Sequence, residues 1–600
     1  MAHVYLGFLT NSYTSALVTP QGSVDWLPFP RFDSSAIFCR LLDKSHGGYF
    51  SIQPDGDFQS QQTYKEGTNI LVTMFDTPQG HAEMHDFLPI GQTALWRVIE
   101  TDIPLVLTCS PTFDFGCTTA SYEILDQGAC FLHPGDKEGL VLHIEGPMEK
   151  MPPRDVWRIG PGSVAVRLQY TGNEPEEKDA LNQALVRPKS VEVINEQFWR
   201  RIHSNYTGVH AEMVDRAVLV MRGLTYRTTG GCIAAATTSL PEEPGGTRQW
   251  DYRFVWVRDG SYAAEALLLA GDIIGCRQYL SFVFNTLNIA GQPFAAPFFR
   301  VDGTLTQGEH ELLWLSGYEH SRPVRVGNGA NSQLQLDIEG DFLWPVWLYW
   351  HSTQDSVFIQ ENWIAITALV TWAQTTWHEA DASLWEFRAD DDVYTHSRMM
   401  CWVALKVGAS LADQVMHDSV QARTWDLEAQ TVESAIWAQQ QASGLPYFTQ
   451  GAHHPQMDAA LLTMVLYGFV AWDQPVFART LSQIEKDLVQ NDRVFRYRQD
   501  NMGPAHFAFT LAGFWLARVY LRMGETQRAD ALIDAQIAGA TTLGLFAEHT
   551  DPDSQKPHGN FPQLFPHAAL VTTLTERQRQ KEGQLPGYEQ EFLSKARPPK

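Results

Sequence analysis

The chain has 600 residues, more than one ordinary core accommodates, so at least two domains are expected. Lys and Arg number 44 against 69 Asp and Glu, a formal charge of −25, and a surface this acidic repels phosphate backbones and argues against nucleic acid as a partner. Seven cysteines with no C-x-x-C pair point away from a disulfide framework or zinc site and towards reduced, mostly buried thiols.

At the N-terminus, Met-Ala-His-Val-Tyr-Leu-Gly-Phe has no basic stretch followed by an apolar one, and no later apolar run is long enough to span a bilayer. The expectation is a soluble, cytoplasmic protein with no membrane partner. Residues 1–185 read as an antiparallel β-sandwich. Ser15–Thr19 and Ser23–Leu27 flank Pro20-Gln-Gly22, and the same Thr-Pro-Gln-Gly turn recurs at 77–80 between Asn69–Met74 and His81–Asp86. Pro and Gly between apolar runs mark hairpins. Val164, Val166 and Leu168 alternate with Ala165, Arg167 and Gln169, the period of a half-buried strand. From Thr171 to Lys189 the chain turns polar, as a domain junction does. Ser190–His203 then sets Val193, Phe198 and Ile202 on a helical pattern, so 186–205 is expected to be a linker helix.

Over 206–585 the pattern is helical, with twelve candidates near 209–225, 259–271, 274–290, 332–352, 357–378, 395–412, 415–442, 457–470, 474–490, 505–523, 526–543 and 564–582. Ala505–Met523 is apolar almost all round, whereas Thr526–Leu543 carries a single stripe of Ala529, Leu532, Ile533 and Ile537. A helix apolar all round is buried and a striped one lies outside it. Inner and outer helices in alternation predict a closed double ring, with an open helical array as the alternative. Residues 586–600 form a polar tail.

In such a ring the chemistry falls to the loops. In Asp381-Ala-Ser-Leu-Trp-Glu-Phe-Arg388, Glu386 stands between Trp385 and Phe387. Desolvation there would raise the carboxyl towards the range of a general acid; the other reading is a surface Glu after a core Trp. Arg248-Gln-Trp-Asp-Tyr-Arg-Phe-Val-Trp-Val-Arg-Asp-Gly260 combines aromatic faces (Trp250, Tyr252, Trp256), the fork of Arg258 and the carboxylates Asp251 and Asp259, tools that fit vicinal hydroxyls. Its alternative is a helix N-cap at Asp259. Gly317–Asn328 supplies Arg322 and Arg325, and the loop from Phe546 offers Glu548, either a base or a solvated loop carboxylate. Asp390-Asp-Asp392 and His453-His454 read as polar loops, with no spacing that supports a metal site.

Seven stretches in order carry a family resemblance: Gly22–Leu27 with Arg31–Ser34, Thr237–Glu242, the Trp-Asp-Tyr…Trp-Val-Arg-Asp loop, Ser321–Asn328, Leu384–Glu386, Met400–Leu405 and Gly559–Gln563. They make the chain resemble glycoside hydrolase family 15, the glucoamylase-type enzymes, in the bacterial two-domain form. The resemblance implies an N-terminal antiparallel β-sandwich followed by an (α/α)6 barrel. It implies inverting, exo-acting hydrolysis of α-glucosides, releasing β-glucose from malto- or isomaltooligosaccharides, with no cofactor and no metal. Carried over by residue, it makes Glu386 the general acid and Glu548 the general base. Arg258 and Asp259 would grip the terminal glucose, Tyr252, Trp256 and Trp385 would line its subsite, and Arg325 would be a further sugar-binding residue. In an inverting enzyme the two carboxyls stand roughly 6.5–9.5 Å apart to admit a water. Negative charge at Asp259 and the ring of Tyr252 would favour an oxocarbenium-like transition state. At His549, beside the base, the chain departs from the family pattern, and near Gly503–His506 it lacks the acidic residue of relatives, so subsites beyond the first are expected to differ. An α,α-trehalase of the same family is the alternative, because the terminal-glucose subsite is shared. A catalytically silent glucan-binding or regulatory module would have no need of an opposed acid and base, and helical scaffolding leaves the loop chemistry unexplained. The partner expected is therefore an oligosaccharide or disaccharide substrate, with the oligomeric state open.

Overall fold

The computed structural model describes residues 6–135, 138–153, 155–172, 187–290, 294, 296–306 and 308–583. The N-terminal part folds as two antiparallel eight-stranded sheets. The first runs Gly7–Thr10, Ser15–Val18, Ser23–Pro28, Tyr49–Pro54, Leu105–Ser110, Val156–Ile159, Met148–Met151, with Ala36–Phe38 paired to Ser23–Pro28. The second runs Ser121–Leu125, Gly128–Leu132, Gly139–Glu145, Gly162–Thr171, Ala94–Thr101, Gly80–Phe87, Leu71–Thr77, Gln59–Tyr64. Both Pro-Gln-Gly turns close hairpins, one pairing Leu17 with Trp26 and the other Leu71 with Asp86. The inward faces meet in one core that includes Trp26, Phe50 and Leu107 from the first sheet and Phe75, Met84 and Ile99 from the second, the burial that drives sheet-on-sheet packing.

Two local expectations differ. In Gly162–Thr171, Ala165 is buried along with Val164 and Val166, because it pairs with Val98 on a face of the second sheet that is itself covered. The cover includes helix α1 (Pro188–Trp199), which presents Val191, Asn195 and Trp199 and not the predicted Val193 and Phe198; Val193 is exposed and Ile202 lies past the helix end. Steps of four residues from Val191 select the buried face. Residues 173–186 of the polar junction and the tail 586–600 lie outside the described residues.

The helices that follow are α2 (Ala211–Gly223), α3 (Val257–Leu269), α4 (Ile273–Ala290), α5 (Ile338–Thr353), α6 (Ser356–Glu361) and α7 (Trp363–Thr376). Then come α8 (Thr395–Gln414), α9 (Ser419–Ala442), α10 (Thr463–Leu466), α11 (Pro475–Leu488), α12 (Thr510–Met523), α13 (Thr526–Ala538) and α14 (Leu564–Lys581). Packing runs α3 to α5, α8, α10, α12, α14 and back to α3, which closes an inner ring. Outside it, α2 lies on α14 and α3, α4 and α7 on their inner neighbours, α9 on α8 and α13 on α12, while α11 lies on the 3-10 turn Ala459–Leu462 just before α10. This is the (α/α)6 barrel. Burial follows the pattern predicted for inner and outer helices: α12 is buried on nearly every side, and α13 buries only Ala529, Leu532, Ile533 and Gln536.

Three helices are shorter or broken. The segment 357–378 divides at Asn362, whose side chain donates to the Phe358 carbonyl. The segment 457–470 shrinks to the 3-10 turn and α10, stopped before Gly468 at φ 74°. Residues ahead of Thr510 join a small sheet, Ala508–Phe509 against His549–Thr550 against Pro557–His558, and so fix the chain beside Glu548. The sandwich meets the barrel through Trp26 Nε1 on the Ala236 carbonyl (2.8 Å) and Arg31 on Asp302 (2.8 Å). None of the seven cysteines is in a disulfide, and of them only Cys117 is exposed. Among the described residues no helix is long and apolar enough to cross a membrane.

Candidate active site

Residues 250–256 run extended into α3, and their side chains divide. Asp251 and Arg253 turn away from the pocket and pair at 2.7 Å, fully buried, and Arg253 also donates to the Ser34 carbonyl of the sandwich (2.7 Å). Tyr252 and Trp256 face a pocket of about 540 Å3, mouth included, within the range of small-ligand sites. Arg258 and Asp259 join them from the first turn of α3. Trp256 takes the N-cap position with no side-chain cap, so Asp259 is not the cap. Trp385 and Glu386 complete one wall, and Glu548 and Gln563 line another part of the same pocket.

Glu386 accepts from Trp256 Nε1 at 2.7 Å and from Arg258 at 3.1 Å. Its backbone sits at φ 59°, the left-handed region that non-glycine residues rarely adopt, in a loop that also holds Ser383 at φ 64°. Burial raises the Glu386 carboxyl above its ordinary value, Asp337 adds to the rise, and Arg258, Trp256 and Gln335 oppose it. The flanking rings are the source of desolvation that the sequence suggests, but they turn elsewhere. Trp385 donates its ring N–H to Asp458 (2.9 Å) and meets Phe509 edge to face, and Phe387 packs with Tyr394 and Tyr497. Trp256, stacked on Phe298 at 4.2 Å, is the ring that touches the carboxyl.

Glu548 accepts from the Tyr252 hydroxyl at 2.9 Å and from Gln563 Nε2 at 3.3 Å, with His549 Nδ1 at 3.3 Å. Burial, then Glu548 and other carboxylates, push the Tyr252 phenol well up, so it keeps its proton and donates. Asp259 departs from expectation. Burial raises its carboxyl well above the ordinary value, and Glu386 and Glu548 push the same way against Arg258, so its surroundings oppose the negative charge foreseen there. Arg325 is not brought to the pocket. It spans the carbonyls of Thr247 and Gln249, pairs with Glu309 and lies 4.6 Å over the Trp250 ring; Arg322 is exposed.

Residues 208–538 match the profile described as "Glycosyl hydrolases family 15", and residues 5–147 match "Trehalase-like, N-terminal". The chain belongs to glycosyl hydrolase family 15. It is therefore a glycoside hydrolase. It is 39% identical to Trehalase 1 of Sulfolobus acidocaldarius over 95% of this chain and 98% of that one. It is 31% identical to the trehalase of Mycobacterium tuberculosis over 96% and 89% of the two chains. The structure of a bacterial glucoamylase complexed with acarbose superposes over 98% of this chain and 95% of that one, with a TM-score of 0.73 at 12% identity, a likeness of fold.

In this hydrolase several pocket residues carry no sequence signal of their own. Arg496 lines the pocket and pairs with Glu242 at 2.7 Å, and Phe298 backs Trp256 from another loop. Glu242 and Gln563 fall inside stretches that carry the family resemblance, where their chemistry could have been suspected. A second compartment of about 470 Å3 adjoins the first and shares Tyr252, Trp385, Glu386 and Arg496 with it; Glu242, Arg248, Arg388 and Asp500 surround it. Among the described residues, Glu242, Glu548 and His549 form the one trio whose ligand atoms lie close enough to hold a metal, within 4.8 Å of one another. Arg496 and Arg248 already bring positive charge to Glu242, and Tyr252 and Gln563 donate to Glu548, so this trio is assigned no cation. Asp392, for its part, is met by His453 and His454 at 2.8 Å each.

Proposed function

We propose that this enzyme is an inverting α,α-trehalase, with Glu386 as general acid and Glu548 as general base. The observation that carries the substrate is the similarity to Trehalase 1, which runs along nearly the whole of both chains, sandwich included. The pocket supports it. Two compartments joined at Glu386 suit two linked sugars, and the charged rim of the second offers fixed donors and acceptors to the hydroxyls of a second glucose. In this reading the barrel of residues 206–585 carries the chemistry and the sandwich of residues 1–185 braces it.

One glucose lies in the inner compartment, held by Arg258 and Asp259. Glu386, protonated, gives its proton to the glycosidic oxygen as the bond from that oxygen to the anomeric carbon breaks. A water on the opposite face attacks that carbon and loses a proton to Glu548, so configuration inverts and one β-glucose and one α-glucose leave. Tyr252 and Gln563 orient Glu548 towards the water, and Trp256 and Arg258 fix the acid. The test is proton NMR of trehalose, maltose, isomaltose and maltotetraose in parallel, with Glu386→Gln as control. Trehalose giving equal initial α- and β-glucose, lost in the variant, is expected. Cleavage of the maltooligosaccharides without trehalose would return the enzyme to the glucoamylase type.

A further inference from the structure

Next to Arg258, but outside the pocket lining, four acids and a histidine are gathered. Asp337, Glu339 and Asp341 come from the start of α5, Asp381 from the loop ahead of Glu386, and His396 from α8; all are buried. Among the described residues, both oxygens of Asp341, one each of Asp337, Glu339 and Asp381, and both ring nitrogens of His396 have no hydrogen-bond partner. An ionised carboxylate left so bare is costly. The other oxygen of Asp381 accepts from the N–H groups of Leu336 and Ser383 and from the Ser397 hydroxyl, whereas the other oxygen of Asp337 meets a cation: it lies 2.6 Å from Arg258 Nη1, which also donates to the Gln335 oxygen at 3.1 Å. Arg258 Nη2 is the group that reaches Glu386. One guanidinium therefore spans the two acids.

We propose that Asp337 is a positioning residue for the hydrolysis: by taking up the charge of Arg258, it lets that residue hold Glu386 by a hydrogen bond without presenting a net cation to it.

The charge distribution in the cluster agrees. Burial pushes Asp341 well up, and Asp337 adds to this, so its surroundings favour the protonated form. Burial pushes Glu339 and Asp381 up to about 8, holds His396 down at about 4, and keeps the Cys401 thiol well up. Against the upward push of burial, Arg258 and His396 hold Asp337 below its ordinary value. The cluster thus favours negative charge on Asp337, facing the positive charge on Arg258. The other groups that face Glu386 are Trp256, Gln335, Tyr252 and Asp259, with Glu548 and Arg496 elsewhere on the pocket wall. Of these and Arg258, Arg258 is the cation in direct contact with Glu386 and the largest influence opposing the rise that burial imposes on it, so neutralising it helps the acid keep its proton.

This inference rests on Glu386 being the general acid. The experiment is the pH profile of kcat/KM on whichever disaccharide the enzyme cleaves, for the parent, Asp337→Asn, Asp337→Glu, Asp341→Asn and Glu386→Gln. The amide introduced by Asp337→Asn keeps an oxygen for Arg258 but not the charge. The alkaline limb of that variant should therefore move to lower pH, an added loss of about tenfold at the alkaline end, the effect of an opposite charge a few ångström away. Asp337→Glu should restore the limb, which loss of a merely structural contact would not do. Asp341→Asn replaces an acid that is already neutral and should leave the limb in place. An unmoved limb in Asp337→Asn, or a limb that moves in Asp341→Asn, overturns the proposal, and the second result decides it even if Asp337→Asn does not fold. If Glu386→Gln itself keeps activity and limb, the assignment of the acid falls, a result distinct from failure of the Asp337 variant alone.

Discussion

Glu386, half-buried, and Glu548, buried, are carboxyls on one pocket, yet the groups that hold them differ in charge and in origin. Glu386 is met by Trp256 and by Arg258, whose other arm is bound to the buried Asp337, and these all belong to the barrel. Glu548 is met by the neutral phenol of Tyr252, the amide of Gln563 and the ring of His549 at 3.3 Å, while Arg496 nearby is paired to Glu242. Tyr252 in turn stands between Asp251 and Arg253, and Arg253 is tied to the Ser34 carbonyl of the sandwich. The wall around Glu386, the proposed acid, is set by a balance of buried charges. Around Glu548, the proposed base, two of the contacts are neutral donors, and the placement of Tyr252 depends on a second domain.

The variants that remove either carboxyl test this contrast most severely. On the proposed reading, Glu386→Gln and Glu548→Gln should each lower kcat on trehalose by about 10²–10⁴-fold, the usual share of a general acid or base. They part on altered reactants. A substrate whose leaving group needs no proton, such as α-glucosyl fluoride, should recover much of the loss in Glu386→Gln and little in Glu548→Gln. Added azide, which attacks without a base, should do the reverse. Equal recovery of both variants by the fluoride would exchange or abolish the two roles.

How far the sequence foresees this site depends on how local each contact is. The hairpins follow from adjacent residues, and the inner or outer status of α12 and α13 from their own apolar patterns; both are legible because the information lies in one stretch. Tyr252, Trp256, Arg258 and Asp259 could be read together because one loop carries them into the pocket, as could Trp385 with Glu386. Arg325, given a sugar-binding role only through the family resemblance, braces Trp250 and backbone carbonyls instead of lining the pocket, a placement set by contacts far away in the chain. Asp337 and Arg496 act through partners 79 and 254 positions away in the chain, a pairing that no window of sequence displays. Sixfold regularity also hides local exceptions. The helix foreseen over 457–470 gives way to a 3-10 turn and one helical turn, set by the Asp458 side chain on the Ala460 N–H, and the same carboxylate receives Trp385.

Breaking the link between base wall and sandwich should cost stability before it costs chemistry. Arg253→Met removes one partner of an ion pair with no exposure on either side and leaves Asp251 buried and unpaired. Such breaks destabilise by about 3–5 kcal/mol. A lowered urea midpoint is expected, together with a kcat loss that an activated substrate such as α-glucosyl fluoride does not relieve. A variant as stable as the parent would mean that the sandwich does not position Tyr252 through this residue.

The smallest change sharpens the comparison furthest. Tyr252→Phe keeps the ring against Trp256 but deletes the hydroxyl that donates to Glu548 at 2.9 Å. A hydrogen bond to a charged group contributes about 1.5–3 kcal/mol, so a fall in kcat of roughly 10–100-fold is expected with little change in thermal stability. Because the lost donor is neutral and belongs to the base wall, the alkaline limb of the pH profile should stay where it is in the parent. Asp337→Asn should show the converse, a displaced limb. Should both variants move the same limb, the two walls would form one coupled electrostatic unit, and the division between a charge-set acid and a geometry-set base would be wrong.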